Sequence, residues 1–283
     1  MNRIDIMAVV VSYNGGERLR RTVSALRGQV GHVHIVDNGS EADSRAIVEC
    51  FALQSDISIS WLPENRGIGA ALNVGITRAR ERGQGWLLTM DQDSTIDEGM
   101  IPAYIHAVGS GQSVACLTPR MVVNAVPQGV REKTVDYAIT SGNLVRMDVY
   151  EKVGTYNERM FIDGVDFDFS LRVREGGFMI EYVREAILIH ELGDSHAVPN
   201  WLARYHTFHS PVRRYYMTRN FLYMLEQHAV RNPAFMAKMA AAHVIQLFTI
   251  LLLGKKRIRS YVLMARGVYD YACRKAGPYK GGV

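Results

Sequence analysis

The stretch Trp86-Leu87-Leu88-Thr89-Met90-Asp91-Gln92-Asp93 passes from a short apolar run into two carboxylates separated by one residue. A run of that kind without polar alternation reads as a strand buried on both faces, as in a parallel sheet covered by helices. In an extended chain, residues two apart project to the same side. Asp91 and Asp93 would therefore repel each other unless a cation lies between them. A hard divalent ion such as Mg²⁺ or Mn²⁺, held by one or two carboxylates together with substrate phosphates, answers that need. The competing reading of this tripeptide is a solvated turn. Its place directly after a buried strand favours metal binding by Asp91 and Asp93.

Outward from this strand the first hundred residues alternate in type. Ile6–Val11 is a continuous β-branched run, Val33–Val36 a second strand, and Ile57–Leu62 a third. Helical periodicity marks Glu17–Leu26, Ser44–Leu53 and Gly69–Arg82, the last followed by Gly83 at the position where a helix C-terminus favours glycine. This βαβα order predicts an α/β fold with a mainly parallel sheet flanked by helices. Ligands of such sheets sit at the carboxyl ends of the strands. The middle of the chain is less regular. Strands are expected at Val114–Thr118, Asp136–Ile139, Leu144–Arg146, Phe178–Tyr182 and Ile187–His190, with a loop at Asn124–Arg131 and a helix over Asp166–Glu175. From Pro211 onward the pattern is helical. The expected division is a catalytic, nucleotide-binding domain over 1–210 and a basic helical region over 211–283.

Charge follows the same division. Residues 199–283 hold 14 of the 33 Lys and Arg but only Glu226 and Asp270 among the 28 acids, so this part is net +12 and the preceding part −7. A basic tail on an acidic body points to an anionic partner: phosphates, nucleic acid or lipid headgroups. Its aromatic residues fall at helical spacings that suit a core better than base stacking, which argues against nucleic acid. The three cysteines, Cys50, Cys116 and Cys273, are odd in number and match no metal spacing, as in reduced cytosolic proteins. The longest apolar stretch, Met239–Leu253, contains His243 and Gln246 and is shorter than a spanning helix requires. Followed by Lys255, Lys256, Arg257 and Arg259, it fits a helix lying in a membrane interface, or else one packed on the catalytic domain or a second subunit.

Further candidate site residues lie at the other strand ends. Asp37, in Val36-Asp37-Asn38-Gly39-Ser40, can accept from a base N–H, or can simply form an Asx turn. Pro63-Glu64-Asn65-Arg66-Gly67-Ile68-Gly69-Ala70 opens a helix whose glycines admit a ligand to the backbone and whose N-terminus favours phosphate or sugar hydroxyls. It lacks the third glycine of a dinucleotide fingerprint, which lowers the dehydrogenase reading. In Phe161-Ile162-Asp163-Gly164-Val165-Asp166-Phe167-Asp168, Asp166 starts a helix, where the macrodipole favours a carboxylate. It is the candidate general base, with Asp163 in reserve. Asp168 and Arg172 are spaced to pair along the helix. His190 ends a strand and is a candidate metal or diphosphate ligand, with His196, His206 and His209 equally open. Arginines in Arg213-Arg214-Tyr215-Tyr216-Met217-Thr218-Arg219-Asn220 suit diphosphate recognition.

Eight segments in this order resemble the family 2 inverting glycosyltransferases of the GT-A fold, and within them the bacterial rhamnosyltransferases. They are Val9–Gly15, Val36–Ser40, Glu64–Asn73, Met90–Ser94, Thr140–Val145, Met160–Arg172, Ile189–Ser195 and Arg213–Asn220. The resemblance implies a nucleotide-diphosphate sugar donor, dTDP-L-rhamnose, and an acceptor that is a cell-surface glycan or a lipid-linked saccharide at the inner face of the plasma membrane. It implies that Asp37 holds the base, that Asp91 and Asp93 hold the metal and diphosphate with help from His190, and that Asp166 is the catalytic base. Ser12, Tyr13, Asn14, Asn65, Gly67, Gly69, Asn73, Gln92 and Arg219 are the further residues expected to meet the donor. The family at large often has a Glu-Asp pair at the base position, where this chain has Val165-Asp166. Two rival readings are weaker. A sugar nucleotidyltransferase wants a glycine-rich basic loop after the first strand, which Ser12–Glu17 does not supply, and a silent glycan-binding module has no use for a general base.

Overall fold

The computed structural model describes residues 1–109, 114–123, 126–127, 132–190, 209–253 and 256–281. The N-terminal half is the expected alternation: β1 (Ile6–Ser12), α1 (Glu17–Leu26), β2 (His32–Asp37), α2 (Ala42–Glu49), β3 (Ile57–Trp61), α3 (Ile68–Glu81) and β4 (Trp86–Asp91). β1 and β2 are fully buried along their lengths; β1 is an unalternating apolar run, whereas β2 alternates His32 and His34 with apolar residues and buries both histidines against Ser58 and Ser60 of β3. β1 pairs in parallel with β2 and β4, and β2 with β3. The register sets Ser12 opposite Asp37, and Val11 opposite Asp91, so these strands end together at one edge.

The sheet then changes character. Its order is β3-β2-β1-β4-β8-β6-β9-β5, where β5 is Ser94–Ile96, β6 Val114–Val123, β8 Asn143–Arg146 and β9 Met179–His190; β7 (Val126–Pro127) pairs with β6. β8 runs antiparallel to both β4 and β6. β9 is parallel to β6 and antiparallel to β5. The two short strands expected at Phe178–Tyr182 and Ile187–His190 are therefore one, with a register shift against β6 between Pro119 and Arg120. Asp136–Ile139, expected as a strand, is irregular. Its polar groups are taken by helix α6 (Val165–Glu175): Asp136 pairs with Arg174, and the Ala138 N–H donates to Ser170 Oγ. Most of the Asn124–Arg131 loop lies outside the described residues. Two apolar layers, one on each face of the sheet, form the core.

Helices α4 (Met100–Gly109) and α5 (Met147–Val153) complete the body. The C-terminal region is three helices, α7 (Pro211–His228), α8 (Pro233–Leu253) and α9 (Arg257–Ala272). Ser210 caps α7, its side chain accepting from the Arg213 N–H, with Pro211 at the first position. α7 is locked to α6 through a buried polar cluster. His228 bonds Asp168 at 3.2 Å and Glu175 at 2.7 Å, and Arg172 closes on Asp168 at 2.8 Å as its spacing predicts. Burial works against a charged His228, but the bonds to Asp168 and Glu175 outweigh it and raise its pKa. α8 differs from its sequence reading. The helix starts at Pro233, six residues before the apolar run Met239–Leu253, and Pro233–Leu252 has a mean hydropathy of 1.7. By length and composition it is long and apolar enough to cross a membrane.

Candidate active site

The parallel strands deliver their last residues to one cleft of about 610 Å³. Its walls carry Tyr13 from the end of β1, Asn65 and Gly67 from the entry to α3, and Asp91, Gln92 and Asp93 from the end of β4. The opposite side carries Asp163 and Asp166 at the start of α6, His190 at the end of β9, and Arg213 from α7. Residues separated by more than a hundred positions thus converge at the carboxyl edge, as expected for an open α/β sheet.

The nucleotide side is tied by side chains that satisfy backbone groups. Gln92 accepts from the Tyr13 N–H at 2.8 Å and donates back to the Tyr13 carbonyl at 3.0 Å. Asn14, at positive φ, accepts from the Glu41 N–H, while Ser40 Oγ accepts from the Asn14 N–H. Asn38 Nδ2 donates to Asn65 Oδ1 and the Gly67 carbonyl, and its Oδ1 accepts from the Arg66 N–H. This knot between two loops rests on Asn38. Gly67 sits at φ +87°, and a Cβ there would strike the Phe161 backbone. Asp37 lies wholly buried behind the cleft: Oδ1 accepts from the Ser40 N–H and lies 3.7 Å from Arg45 Nε, and Oδ2 has no partner among the described residues. On the paired strand Ser12 Oγ is also buried without a partner. These two orphaned polar atoms belong to residues paired in register at the ends of β1 and β2, behind the side chains that line the cleft.

The acidic side is electrostatically loaded. Burial at the cleft floor, with the charges of Asp93 and Asp166 nearby, pushes the Asp91 carboxyl up to about 7; a bond from Thr140 opposes this. Asp91 faces the cleft rather than lying sealed in the core, yet protein displaces most of the water around it. Burial likewise pushes Asp166 up to about 6, with Asp163 adding to the shift and bonds from backbone N–H groups opposing it. Asp93 Oδ1 is 3.7 Å from His190 Nδ1, and that nitrogen lies 2.7 Å from Ser94 Oγ on the paired strand. Among the described residues no three acidic, His or Cys side chains form a ready-made metal cluster. Asp91 and Asp93 nonetheless suit a hard cation that takes its remaining ligands from substrate oxygens and water, because such an ion relieves the crowding that raises Asp91.

Asp163 is differently occupied. Held at φ +61°, it receives both arms of Arg213, at 2.5 and 3.1 Å. Asn220 fastens the same loop by donating to the carbonyls of Met160, Ile162 and Asp163. Among the described residues Asp166 has no such ion pair, and it opens α6 behind Gly164 at φ +94°.

Three residues expected at the donor stand elsewhere. Arg219 is fully buried, donating to Tyr215 Oη and to the carbonyls of Gly277, Arg159 and Met160. Asn73 bridges α3 to Tyr156 and Glu158. Gly69 is buried against the Asn157 backbone. Among the cleft-lining side chains that the sequence did not assign to the site are Phe161, Met217, Met239 and His243, brought in by α7 and α8 and by the loop they hold. His196 and His206 lie outside the described residues. His209 is pushed down to about 4 by burial, with Arg213 adding, so it is neutral.

The glycosyl transferase family 2 model matches residues 7–164, which contain the strands and acids just described up to Asp163. The chain is 28% identical over 262 residues to dTDP-rhamnosyl transferase RfbF of Shigella flexneri, covering 80% of this chain and 81% of that one. It is 24% identical over 258 residues to galactofuranosyltransferase GlfT1 of Mycobacterium tuberculosis, covering 80% and 84%. Among solved structures, S. aureus TarS 1–349 in complex with UDP-GlcNAc superposes with a TM-score of 0.66 at 15% identity, over 96% of this chain and 80% of that one. GalNAc-T7 with UDP, GalNAc and Mn²⁺ gives 0.64 at 14%, over 95% of this chain and 57% of that one. These likenesses and the strand order agree on a GT-A type α/β fold with a helical C-terminal region, and the family match covers more than half of the sequence: the chain belongs to glycosyl transferase family 2.

Proposed function

We propose that this protein is an inverting rhamnosyltransferase that moves L-rhamnose from dTDP-L-rhamnose to a hydroxyl of a cell-surface glycan or lipid-linked saccharide in the cytoplasm. The observation that carries the reading is the convergence of Asp91, Asp93 and Asp166 in one cleft, with the orphaned Ser12 Oγ and Asp37 Oδ2 behind its wall. Residues 1–210 hold the donor and perform the transfer, and residues 211–283 brace the acceptor side. The choice of rhamnose rests on the likeness to RfbF. The likeness to GlfT1 supports a second reading in which the same site takes a galactofuranosyl donor.

Asp37 and Ser12 meet the base, and Tyr13 and Asn65 flank the donor. Asp91 and Asp93, with His190 beside them, would hold Mg²⁺ or Mn²⁺, which when bound offsets charge on the departing diphosphate. Asp166 accepts the proton of the acceptor hydroxyl. That oxygen attacks the anomeric carbon from the face opposite the diphosphate, and the bond to the diphosphate oxygen breaks. One displacement inverts the anomeric centre and leaves no sugar on the protein. A base with a pKa of about 6 is ionised at neutral pH and still basic enough to take the proton in the transition state. Asp163, neutralised by Arg213, positions the loop instead.

Incubation with a panel of nucleotide sugars, with and without chelator, tests this. Consumption of dTDP-L-rhamnose above all other donors is expected. Preference for a UDP-sugar refutes the donor assignment, and turnover of none refutes the function.

A further inference from the structure

α8 has two faces with different fates. One side carries Met236, Met239, His243 and Ile250; Met236 and Ile250 are buried, and Met239 and His243 line the cleft. The opposite side carries Val244, Ile245, Phe248, Leu251 and Leu252, all exposed, with Phe248 at 62% and Leu252 at 70%. α9 continues the pattern. Ile258 at 82%, Val262 at 60% and Tyr269 at 55% fall on one stripe of that helix. A soluble surface rarely leaves two adjoining apolar stripes uncovered.

The occupant is set by charge. Residues 233–272 contain six Lys and Arg and one acid, Asp270. Asp270 is buried and bonded by Tyr215 and Arg266. Lys256 and Arg259, at the start of α9, are exposed beside the apolar stripes. Apolar side chains flanked by cations with no exposed acid complement a bilayer that contains anionic lipid. A second copy fits less well. A two-fold contact through this face would set the stripe against itself and bring Lys256 and Arg259 near their own symmetry mates. Spanning is also disfavoured. α8 is pinned along its inner side by His243 Nε2 to the Met217 carbonyl at 3.3 Å, and Tyr261 Oη donates to the Leu247 carbonyl at 2.7 Å. Crossing a bilayer would strip α8 from the cleft wall it forms.

We infer that the outer face of α8 and α9 docks flat on an anionic membrane, with Phe248, Leu252, Ile258 and Val262 in the headgroup–acyl boundary and Lys256 and Arg259 among lipid phosphates. The catalytic cleft then lies about one helix diameter, roughly 10 Å, from the lipid surface.

Sedimentation of the full chain with two kinds of vesicle tests this: phosphatidylcholine alone, and phosphatidylcholine with a quarter phosphatidylglycerol. The protein is expected to pellet with the anionic vesicles at low salt and to be released by high salt. Lys256→Gln with Arg259→Gln should weaken binding by about 20–30-fold, roughly fivefold for each cation. Phe248→Gln with Leu252→Gln should abolish binding, with unchanged circular dichroism. Phe248→Trp supplies a readout that needs no disruptive change: its emission should shift to the blue on anionic vesicles and be quenched by brominated lipid. Recovery in the supernatant with both vesicles overturns the inference. So does a Phe248→Trp emission that lipid leaves unmoved, or a dimer in light scattering that the same substitutions split without any vesicle binding. None of these readouts depends on sugar transfer, so their failure leaves the enzymatic reading intact.

Discussion

Arg219 separates two accounts of the C-terminal region. In the sequence it is one of several arginines suited to a diphosphate; in the structure its guanidinium points into protein. It donates to Tyr215 Oη at 3.0 Å and to the Gly277 carbonyl at 2.8 Å, with longer bonds to the carbonyls of Arg159 and Met160. Its guanidinium also lies 5.1 and 5.2 Å from the ring centres of Tyr215 and Tyr216. Arg219→Met keeps much of the volume and removes the donors. Its Nε also donates to Asn220 Oδ1 at 3.2 Å, which makes five acceptors. Three of them keep other partners, since the Arg159 carbonyl still accepts from the Gly277 N–H, the Met160 carbonyl from Asn220, and Tyr215 Oη still donates to Asp270. The loss falls on the Gly277 carbonyl and Asn220 Oδ1. At about 1.5–3 kcal/mol for each hydrogen bond to a charged donor, less the relief of no longer burying the cation, the change should cost roughly 2–4 kcal/mol. At about 2–4 °C per kcal/mol for a chain of this size, the melting temperature should fall by roughly 5–15 °C. Thermal unfolding followed by circular dichroism reads that fall, and calorimetric titration of nucleoside diphosphate, well below both melting points, reads binding. The reasoning predicts a large drop in melting temperature with donor affinity within about twofold. An unchanged melting temperature with affinity lost tenfold or more would refute it and return Arg219 to the diphosphate.

Asp166→Asn should cut turnover by roughly 10²–10⁴-fold while nucleotide binding survives; if Asp163→Asn is the crippling change and Asp166→Asn is mild, the base has been misassigned. Because Asp166 works ionised and is raised to about 6, kcat/KM should rise about tenfold per pH unit below that value and level off above it, and a flat profile across this range counts against it. Asp91 and Asp166 both bind protons more tightly folded than unfolded, so without metal their contribution to stability is full below the ordinary carboxylate range and is lost as pH rises through about 6 to 7. Urea unfolding in chelator at pH 5 and pH 8 checks this sign, against a background set by every other titrating group. Asp93→Ala and excess EDTA should each abolish turnover, and full activity of the untouched protein in EDTA would remove the metal from the mechanism.

What could be read from the sequence was local. β1, β2 and β4 are buried on both faces, so each is written as a mostly apolar run, interrupted in β2 by His32 and His34 and in β4 by Thr89, and the acids at the ends of β2 and β4 announce themselves by ending such a run. The strands from β5 onward pair with distant partners, so their limits depend on residues far along the chain. Asp136–Ile139 has strand-like composition, but Arg174 and Ser170 on α6 claim its polar groups, and no window around residue 136 contains them.

The choice between Asp163 and Asp166 shows the same division more sharply. Both sit within one short segment, and both suit a base by type and spacing. What distinguishes them is Arg213, fifty residues later, which closes on Asp163, while among the described residues Asp166 is bonded by backbone N–H groups. A carboxylate clamped by a guanidinium has its oxygens already committed, whereas burial pushes the Asp166 carboxyl up toward neutrality while leaving it open to the cleft. The helices after residue 210 therefore do more than extend the fold. Arg213 fixes which acid is free, Asn220 holds the loop that carries both, and Met239 and His243 wall the cleft with the inner face of α8. The catalytic identity of the N-terminal acids depends on a region whose own sequence shows only basic and apolar patterning.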